Sequence, residues 1–417
     1  MLPAFWIIAA RSGILAASRK QRLRKFRPMA IDPDPYQIDV ASCRSRQKRL
    51  LAEMQRLELD LCVVTLIENV QLLAGPRFRW YFAPCAALSA DGRLTLVAPE
   101  RQQPEVAAAD EVATYEAQWL STLRNDQRQA SAAALWRALS GAAQWKRVGV
   151  EFSVCGPDVT GQITDCPLTP TLSRKGRGGK AELVNIEPEL YRLRRRKDPD
   201  ELSRIKKAIA GTRAMYDRAR QIVAPGLSEL EMFNQLQAAA VEEFGEMLTA
   251  TGNDYAVAAR GGPPGRARAT AGDLWILDLG PAFRGYFADN CRTLAVGGQP
   301  SDAQRRAWEC IVPVFDHVEA TMKPGKSCRA LFEEAKAMLD EAQPWAFNHH
   351  LGHGIGLFPH EAPHLNPNWD DTFEIGDVIA VEPGLYAPEL RMGIRLENNY
   401  VVTEAGVELL SDFPLEL

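Results

Sequence analysis

Phe347-Asn-His-His-Leu-Gly-His-Gly-Ile-Gly-Leu-Phe-Pro-His-Glu-Ala-Pro363 carries His349, His350, His353 and His360, and His364 follows at once. Of the six histidines in the 417 residues, only His317 lies outside this segment. Imidazole titrates near neutral pH and is the commonest metal ligand. Packing gives no reason to crowd it into one short segment of a chain otherwise poor in it. The segment therefore points to a metal-dependent active site in the last third of the protein.

Working outward, carboxylates appear where apolar strands are expected. Asp278 sits inside Leu274-Trp-Ile-Leu-Asp-Leu279, and Asp289 inside the returning run 285–294 after a turn at Gly280-Pro281. Glu382 ends Val378-Ile-Ala-Val-Glu382, and Arg395 and Glu397, two apart on a strand over 393–402, share a face. A carboxylate within an apolar strand is costly unless paired or bound to metal. If the first two strands pair, Asp278 and Asp289 meet across the ladder. Taken singly, each acid has an ordinary explanation in a salt bridge or a turn; together with the histidines they read as one site. Four clustered negative charges would repel and some would protonate, whereas two divalent ions balance them. Four carboxylates with one imidazole favour Mn, Fe, Co or Zn over a soft-metal site.

The remainder fits a two-domain α/β and α+β protein. With 46% hydrophobic and 24% charged residues and a formal charge of −4, the chain reads as globular, with no call for nucleic acid or an anionic membrane. Its eight scattered cysteines lack any C-x-x-C pair and suggest free thiols in a reducing, cytoplasmic setting. Residues 1–39 read as a disordered extension, because the apolar run 3–17 is too short to span a bilayer and its basic residues follow it instead of preceding it. Residues 40–185 read as an α/β domain, with a helical period over Leu50, Leu51, Met54 and Leu57, strands at 61–66 and 94–98, and a helix at 128–140. Within it, 166–181 is a Pro/Gly/basic loop insertion. Residues 186–417 read as the catalytic domain. Asp198-Pro-Asp-Glu201 opens a long helix that Pro225-Gly226 stops, and Ser228 with Glu231 forms a capping box for a helix over 229–245. Helices at 301–322 and 327–342 follow.

Asp278, Asp289-Asn-Cys-Arg-Thr, Gly352-His353-Gly-Ile-Gly, His360-Glu361, Val381-Glu-Pro-Gly384 and Arg395-Leu-Glu397 resemble the pita-bread metallopeptidases, in order and spacing most like the prolidase and aminopeptidase P branch. Arg46–Met54 and 59–75 resemble that branch's creatinase-like N-terminal domain. The resemblance covers roughly 40–417 apart from the insertion. It implies that two divalent ions, manganese first with cobalt, zinc or iron as alternatives, are held by Asp278, Asp289, His353, Glu382 and Glu397, with Asp289 and Glu397 shared. It further implies cleavage of Xaa-Pro peptide bonds by a metal-bridging hydroxide. Glu382 would move the proton, His349 and His360 would contact the substrate and the intermediate, and Arg395 and Tyr286 would stand behind the ligands. A small peptide substrate and a homodimer are implied by the same likeness. His350 and His364 match no role in the family and read as surface or loop residues.

The chain also departs from that pattern. The branch usually carries another substrate-binding histidine shortly before the first aspartate; here 260–273 has none, leaving Arg260, Arg266 or Arg268 as substitutes. Cys291 stands where Thr or Ser is usual and reads as a packed thiol, and Asn398 stands where Asp is common. These changes keep a second reading open: the same metal site serving a non-peptide amide hydrolase or lyase, or a weakly active pseudoenzyme.

Overall fold

The structure is a computed structural model that describes residues 34–139, 145–164, 181–252 and 254–417. The 166–181 insertion, except Ala181, and most of 1–39 lie outside the described residues. Ile38–Leu417 forms one compact unit.

The first half is built on a six-stranded mixed sheet. Leu61–Val64 lies at its centre, antiparallel to Cys85–Ser89 and parallel to Arg147–Val150. Leu94–Pro99 and Glu111–Tyr115 extend one side, and Glu182–Asn185 closes the other. The central strand is buried along its whole length, which explains its unbroken apolar sequence. The helix Val40–Arg56 is capped by Asp39, whose carboxylate accepts from the amides of Ala41 and Ser42. It buries Cys43, Leu50 and Met54. The helix expected at 128–140 runs Gln127–Leu139, and its buried Ala132 and Leu135 join the apolar core beneath the sheet.

In the second half, the long helix is Pro199–Ile222, with the Glu201 carboxylate accepting from the Asp198 amide at its start. Ser228 and Glu231 form the reciprocal box that opens Glu229–Phe244. The main sheet here has five strands, ordered Glu361–Leu365, Gly352–Gly354, Val378–Val381, Asn398–Thr403 and Gly406–Leu409. Its core face packs on the helices Asp302–Thr321 and Cys328–Asp340 through Ile311, Val314, Leu331 and Ile379.

Two strand readings are corrected. The turn after Leu279 is not at Gly280-Pro281: a small hairpin, Ala282–Phe283 with Tyr286–Phe287, is inserted, and the return strand begins at Asn290. Asp289 therefore lies just outside that strand, and the residue facing Asp278 across the ladder is Cys291. Nor is 393–402 one strand. Ile394–Arg395 pairs with Gly384–Leu385, whereas Asn398–Thr403 belongs to the five-stranded sheet. Leu396 and Glu397 form the switch between sheets, and the Glu397 amide donates instead to the Cys291 carbonyl at 2.9 Å.

Candidate metal centre

Five short segments, each carrying one of them, deliver the four acids and the histidine to one place. The strand Gly352–Gly354 is sandwiched between Val378–Val381 and Glu361–Leu365. Both neighbours approach so closely that a Cβ on Gly352 would strike the Ala380 carbonyl and one on Gly354 the Ala362 carbonyl. Two glycines around His353 are therefore a steric requirement, and His353 is the one side chain this strand projects between them. Its Nδ1 lies 3.0 Å from the Gly354 carbonyl, the geometry of an N–H donor, which leaves the Nε2 lone pair facing inward. Nε2 stands 3.7 Å from Asp289 Oδ2 and 3.5 Å from Glu382 Oε1. Burial pulls the His353 imidazole down to about 3, so the ring is neutral at any ordinary pH.

Glu382 is held at the end of its strand by the hydrogen bond from its amide to the Leu351 carbonyl, 2.8 Å. Glu397 is fixed through its backbone: the buried Arg292 donates to the carbonyls of Glu397 and Pro414 and to Asn398 Oδ1. That is the structural use of the Asp289-Asn-Cys-Arg run and of Asn398. Asn399 anchors Asp289 by donating to its carbonyl at 2.5 Å.

Ligand-type atoms of Asp278, Asp289 and Glu397 lie within 4.8 Å of one another, as do those of His353, Glu382 and Glu397, and those of Asp289, His353 and His360. Burial, followed by mutual repulsion, raises Asp289 and Glu397 well above the carboxylate range. Burial likewise raises Asp278 to about 6, although Arg395 opposes the shift with a hydrogen bond of 2.7 Å. Glu382 goes the other way. Burial raises it, but the contact from His350 Nε2, 2.6 Å from Oε1, and the charges of neighbouring imidazoles bring it to about 2. Glu397 Oε2 is buried with no hydrogen-bond partner. The group thus has more negative charge than its surroundings neutralise, and one orphaned oxygen, which is the donor pattern of a hard-to-intermediate divalent cation.

The site opens on a pocket of about 430 Å³. His349 lies on its wall with Nε2 3.0 Å from the Tyr386 hydroxyl and is pushed down to about 4 by burial. The His360 ring stacks on His353 at 3.7 Å. His360 is held from behind, because the next residue, Glu361, receives Arg194 at 3.1 Å and Lys197 at 2.9 Å. Arg194 continues to Asn69, and Asn69 to Glu151, so a buried polar chain runs from the first sheet to the histidine segment.

Several sequence expectations need correction. His350 lies in a loop, part-exposed, but it has a place in the site: it lines the pocket and contacts Glu382. A histidine three residues before the glycine-flanked one looks like loop filler in sequence, and only the fold shows that it faces the acid. Tyr286 is not behind the ligands: it is buried with its hydroxyl 3.3 Å from Glu201, on the long helix. Asp254 carried no sequence signal, yet it shares Arg395 with Asp278, each carboxylate at 2.7 Å, and its backbone carbonyl accepts from the Asp278 amide. His364 is not in a loop: it lies in the strand Glu361–Leu365, part-exposed, where it pairs with Asp371 and stacks on Trp369. Arg260 lines the pocket, whereas Arg268 bonds Gly226 and Glu231 elsewhere. Cys291 is a buried thiol packed with Ile276 and Tyr386. All seven cysteines among the described residues are free, and no described helix is long and apolar enough to cross a membrane.

Comparison with known proteins agrees with this architecture. Residues 203–404 match metallopeptidase family M24, and 46–195 match the creatinase/prolidase N-terminal domain. A Bacillus subtilis protein named as an uncharacterized peptidase is 32% identical over 57% of this chain and 68% of its own length. The Xaa-Pro dipeptidase of Pyrococcus furiosus is 34% identical over 36% of this chain and 43% of its own. The chain thus spans about two thirds or less of these curated relatives. Among solved structures, an Xaa-Pro dipeptidase from Bacillus anthracis superposes with a TM-score of 0.73 at 23% identity, covering 90% of this chain and 99% of that one. The fold of this chain is thus the expected α/β N-terminal domain joined to an α+β pita-bread catalytic domain. With the matched residues, the fold and the ligand-type clusters in agreement, this chain belongs to metallopeptidase family M24, a family of divalent-metal peptidases, and carries a creatinase/prolidase N-terminal domain.

Proposed function

We propose that this chain is a dinuclear-metal peptidase that hydrolyses the bond before proline, as a dipeptidase or an aminopeptidase. The carrying observation is the convergence of Asp278, Asp289, Glu382, Glu397 and His353 on one pocket, with Arg395 the only guanidinium in ion-pair contact with them among the described residues. In this reading Asp278, Asp289 and Glu397 hold one ion, His353 and Glu382 complete a second, and Asp289 and Glu397 are shared. When bound, the ions would supply Lewis acidity and would make a water acidic enough to serve as nucleophile near neutral pH.

The side chains do the rest. Glu382, kept ionised by His350, accepts and relays the proton. His349, oriented by Tyr386, donates to the substrate, and His360, seated by the Glu361 ion pairs, donates to the oxygen on which negative charge develops. Arg395 fixes the orientation of Asp278. Manganese as the resident ion and a homodimer belong to the same reading and rest on family resemblance, and a cytoplasmic setting rests on the scattered cysteines.

A screen of Xaa-Pro dipeptides and longer Xaa-Pro peptides, with Mn or Co added, tests it. Turnover of Xaa-Pro but not Xaa-Ala peptides, lost to a chelator and restored by metal, is expected. Failure across the panel with metal bound would overturn the peptide reading in favour of a non-peptide amide or lyase substrate.

A further inference from the structure

The pocket holds two guanidiniums in different states. Arg395 is engaged by Asp254 and Asp278. Among the described residues Arg260 has no carboxylate within ion-pair distance, and its side chain donates one hydrogen bond, to Asn348 Oδ1 at 2.6 Å, which leaves other donors on the fork unused. It is nonetheless not a loose surface arginine. Its guanidinium lies over the Tyr386 ring, 3.9 Å from the centroid, a cation–π contact that sets its plane. Its backbone carbonyl accepts from Arg395 Nη1 at 3.1 Å. The loop behind it is folded around Asp254, which accepts from the Gly262 amide at 2.7 Å. Gly261 and Gly262 supply the positive φ angles, 157° and 126°, that this turn needs. Arg395 therefore ties the Arg260 loop to the carboxylate cluster, and Tyr386 ties its side chain to His349.

Charge points the same way. Asp254, Asp278, Asp289, Glu382 and Glu397 line the pocket with Arg260 and Arg395. Five carboxylates against two guanidiniums leave three negative charges, and two divalent ions would turn that into one positive charge. A hydroxide at the ions balances that charge, and the guanidinium that still has no anion of its own is Arg260. A planar, pre-oriented guanidinium is the group suited to a carboxylate.

We propose that Arg260 determines substrate specificity by binding a carboxylate of the peptide beside the scissile bond. This rests on the peptidase reading above. The carboxylate has two sources, the C-terminus of a dipeptide or an acidic side chain, and the test separates them. Turnover of Ala-Pro, Ala-Pro-amide and Glu-Pro-amide is compared for wild type, R260M and R260K, each with metal content and circular dichroism checked. Wild type is expected to favour Ala-Pro over its amide by on the order of 10- to 100-fold, the scale of a hydrogen-bonded charge pair. R260M should lose that preference through KM, and R260K should restore part of it. If preference instead follows Glu-Pro-amide over Ala-Pro-amide, and R260M removes it, the side chain is the carboxylate read. Calorimetric titration of proline and prolinamide into the Mn-loaded proteins gives a readout independent of turnover. Wild type should bind proline tenfold or more tightly than prolinamide, and R260M should bind both alike. Failure of wild type to cleave any Xaa-Pro peptide would overturn the peptidase reading, while the titration still decides the role of Arg260. Discrimination unchanged in R260M, or absent from wild type in both assays, would overturn the proposal.

Discussion

Two buried acidic clusters lie among the described residues, and they are built differently. Asp198, Asp200 and Glu201, at the start of the long helix, bring carboxylate oxygens together as closely as the pocket acids do. There the protein supplies its own cations. Arg46, 1% exposed, reaches Asp200 at 2.9 Å and Asp198 at 3.2 Å, Arg49 reaches Asp198 at 2.9 Å, and Arg204 reaches Asp200 at 3.2 Å. That cluster fastens the first helix to the catalytic half. In the pocket, Arg395 is the only guanidinium in ion-pair contact with the acids among the described residues, three of the four candidate carboxylate ligands are pushed toward protonation, and Glu397 keeps an orphaned oxygen. Proximity of carboxylates is common to both sites; what distinguishes a cation site is the positive charge left out of it.

The largest effect expected from this contrast is at Asp289. Asp289→Ala should lose most bound metal and nearly all activity, because in the proposed arrangement it serves both ions, whereas Asp200→Asn should keep metal content at the wild-type level. Elemental analysis of the two proteins reads this directly. Arg46→Met should do the reverse: it strands buried carboxylates and should cost about 3–5 kcal/mol of stability, the range for breaking a buried pair, with metal binding intact. Urea denaturation with metal saturating measures it.

Within the histidine segment the account separates neighbours. His353→Ala should lose one ion and nearly all turnover. His360→Ala should retain metal and fold while turnover falls by about 10²–10³, the usual loss for one transition-state donor. Metal lost from the His360 variant and kept by the His353 variant would mean the two roles are exchanged. A smaller effect is expected at Arg194→Met, which breaks the chain from Asn69 to Glu361 while Lys197 still covers one Glu361 oxygen. Turnover should fall by roughly tenfold, the worth of one charge-assisted hydrogen bond, and a normal rate would show that His360 needs no such seat.

The mildest test is pH. In the metal-free protein Asp278, Asp289 and Glu397 have raised folded-state values. Groups raised on folding stabilise fully below their unfolded pKa, about 4, and that stabilisation is lost as pH rises through the folded value, about 6 for Asp278. Metal-free protein should therefore gain thermal stability relative to the loaded form as pH falls from 8 toward 5, and the Tm gap between the two should narrow. A gap that widens on acidification would contradict the cluster's charge state.

Much of this was legible in sequence because the signals were of strong types. The capping boxes at Asp198 and Ser228, the glycines flanking His353, and acids embedded in apolar runs each have one dominant physical reading. What stayed hidden depended on long-range geometry. The hairpin between Leu279 and Asn290 and the change of sheet at Glu397 shift strand boundaries without altering the hydrophobic pattern. Asp254 and His350 sit in unpatterned segments, and only the loop's closure on Arg395 and the facing of Glu382 give them meaning. Tyr286, next to the ligand segment in sequence, turns its hydroxyl to the other acidic cluster.

The central claim is that the pocket acids, and not the arginine-saturated ones, hold divalent ions. Elemental analysis of purified protein stripped by chelator, reloaded with Mn and desalted tests it most directly, with Asp289→Ala and Asp200→Asn alongside. The account predicts about two ions per chain in wild type and in the Asp200 variant, and a large loss in the Asp289 variant. No retained metal in wild type after saturation with Mn, Co, Fe and Zn in turn, or loss in the Asp200 variant with Asp289→Ala unaffected, would contradict it.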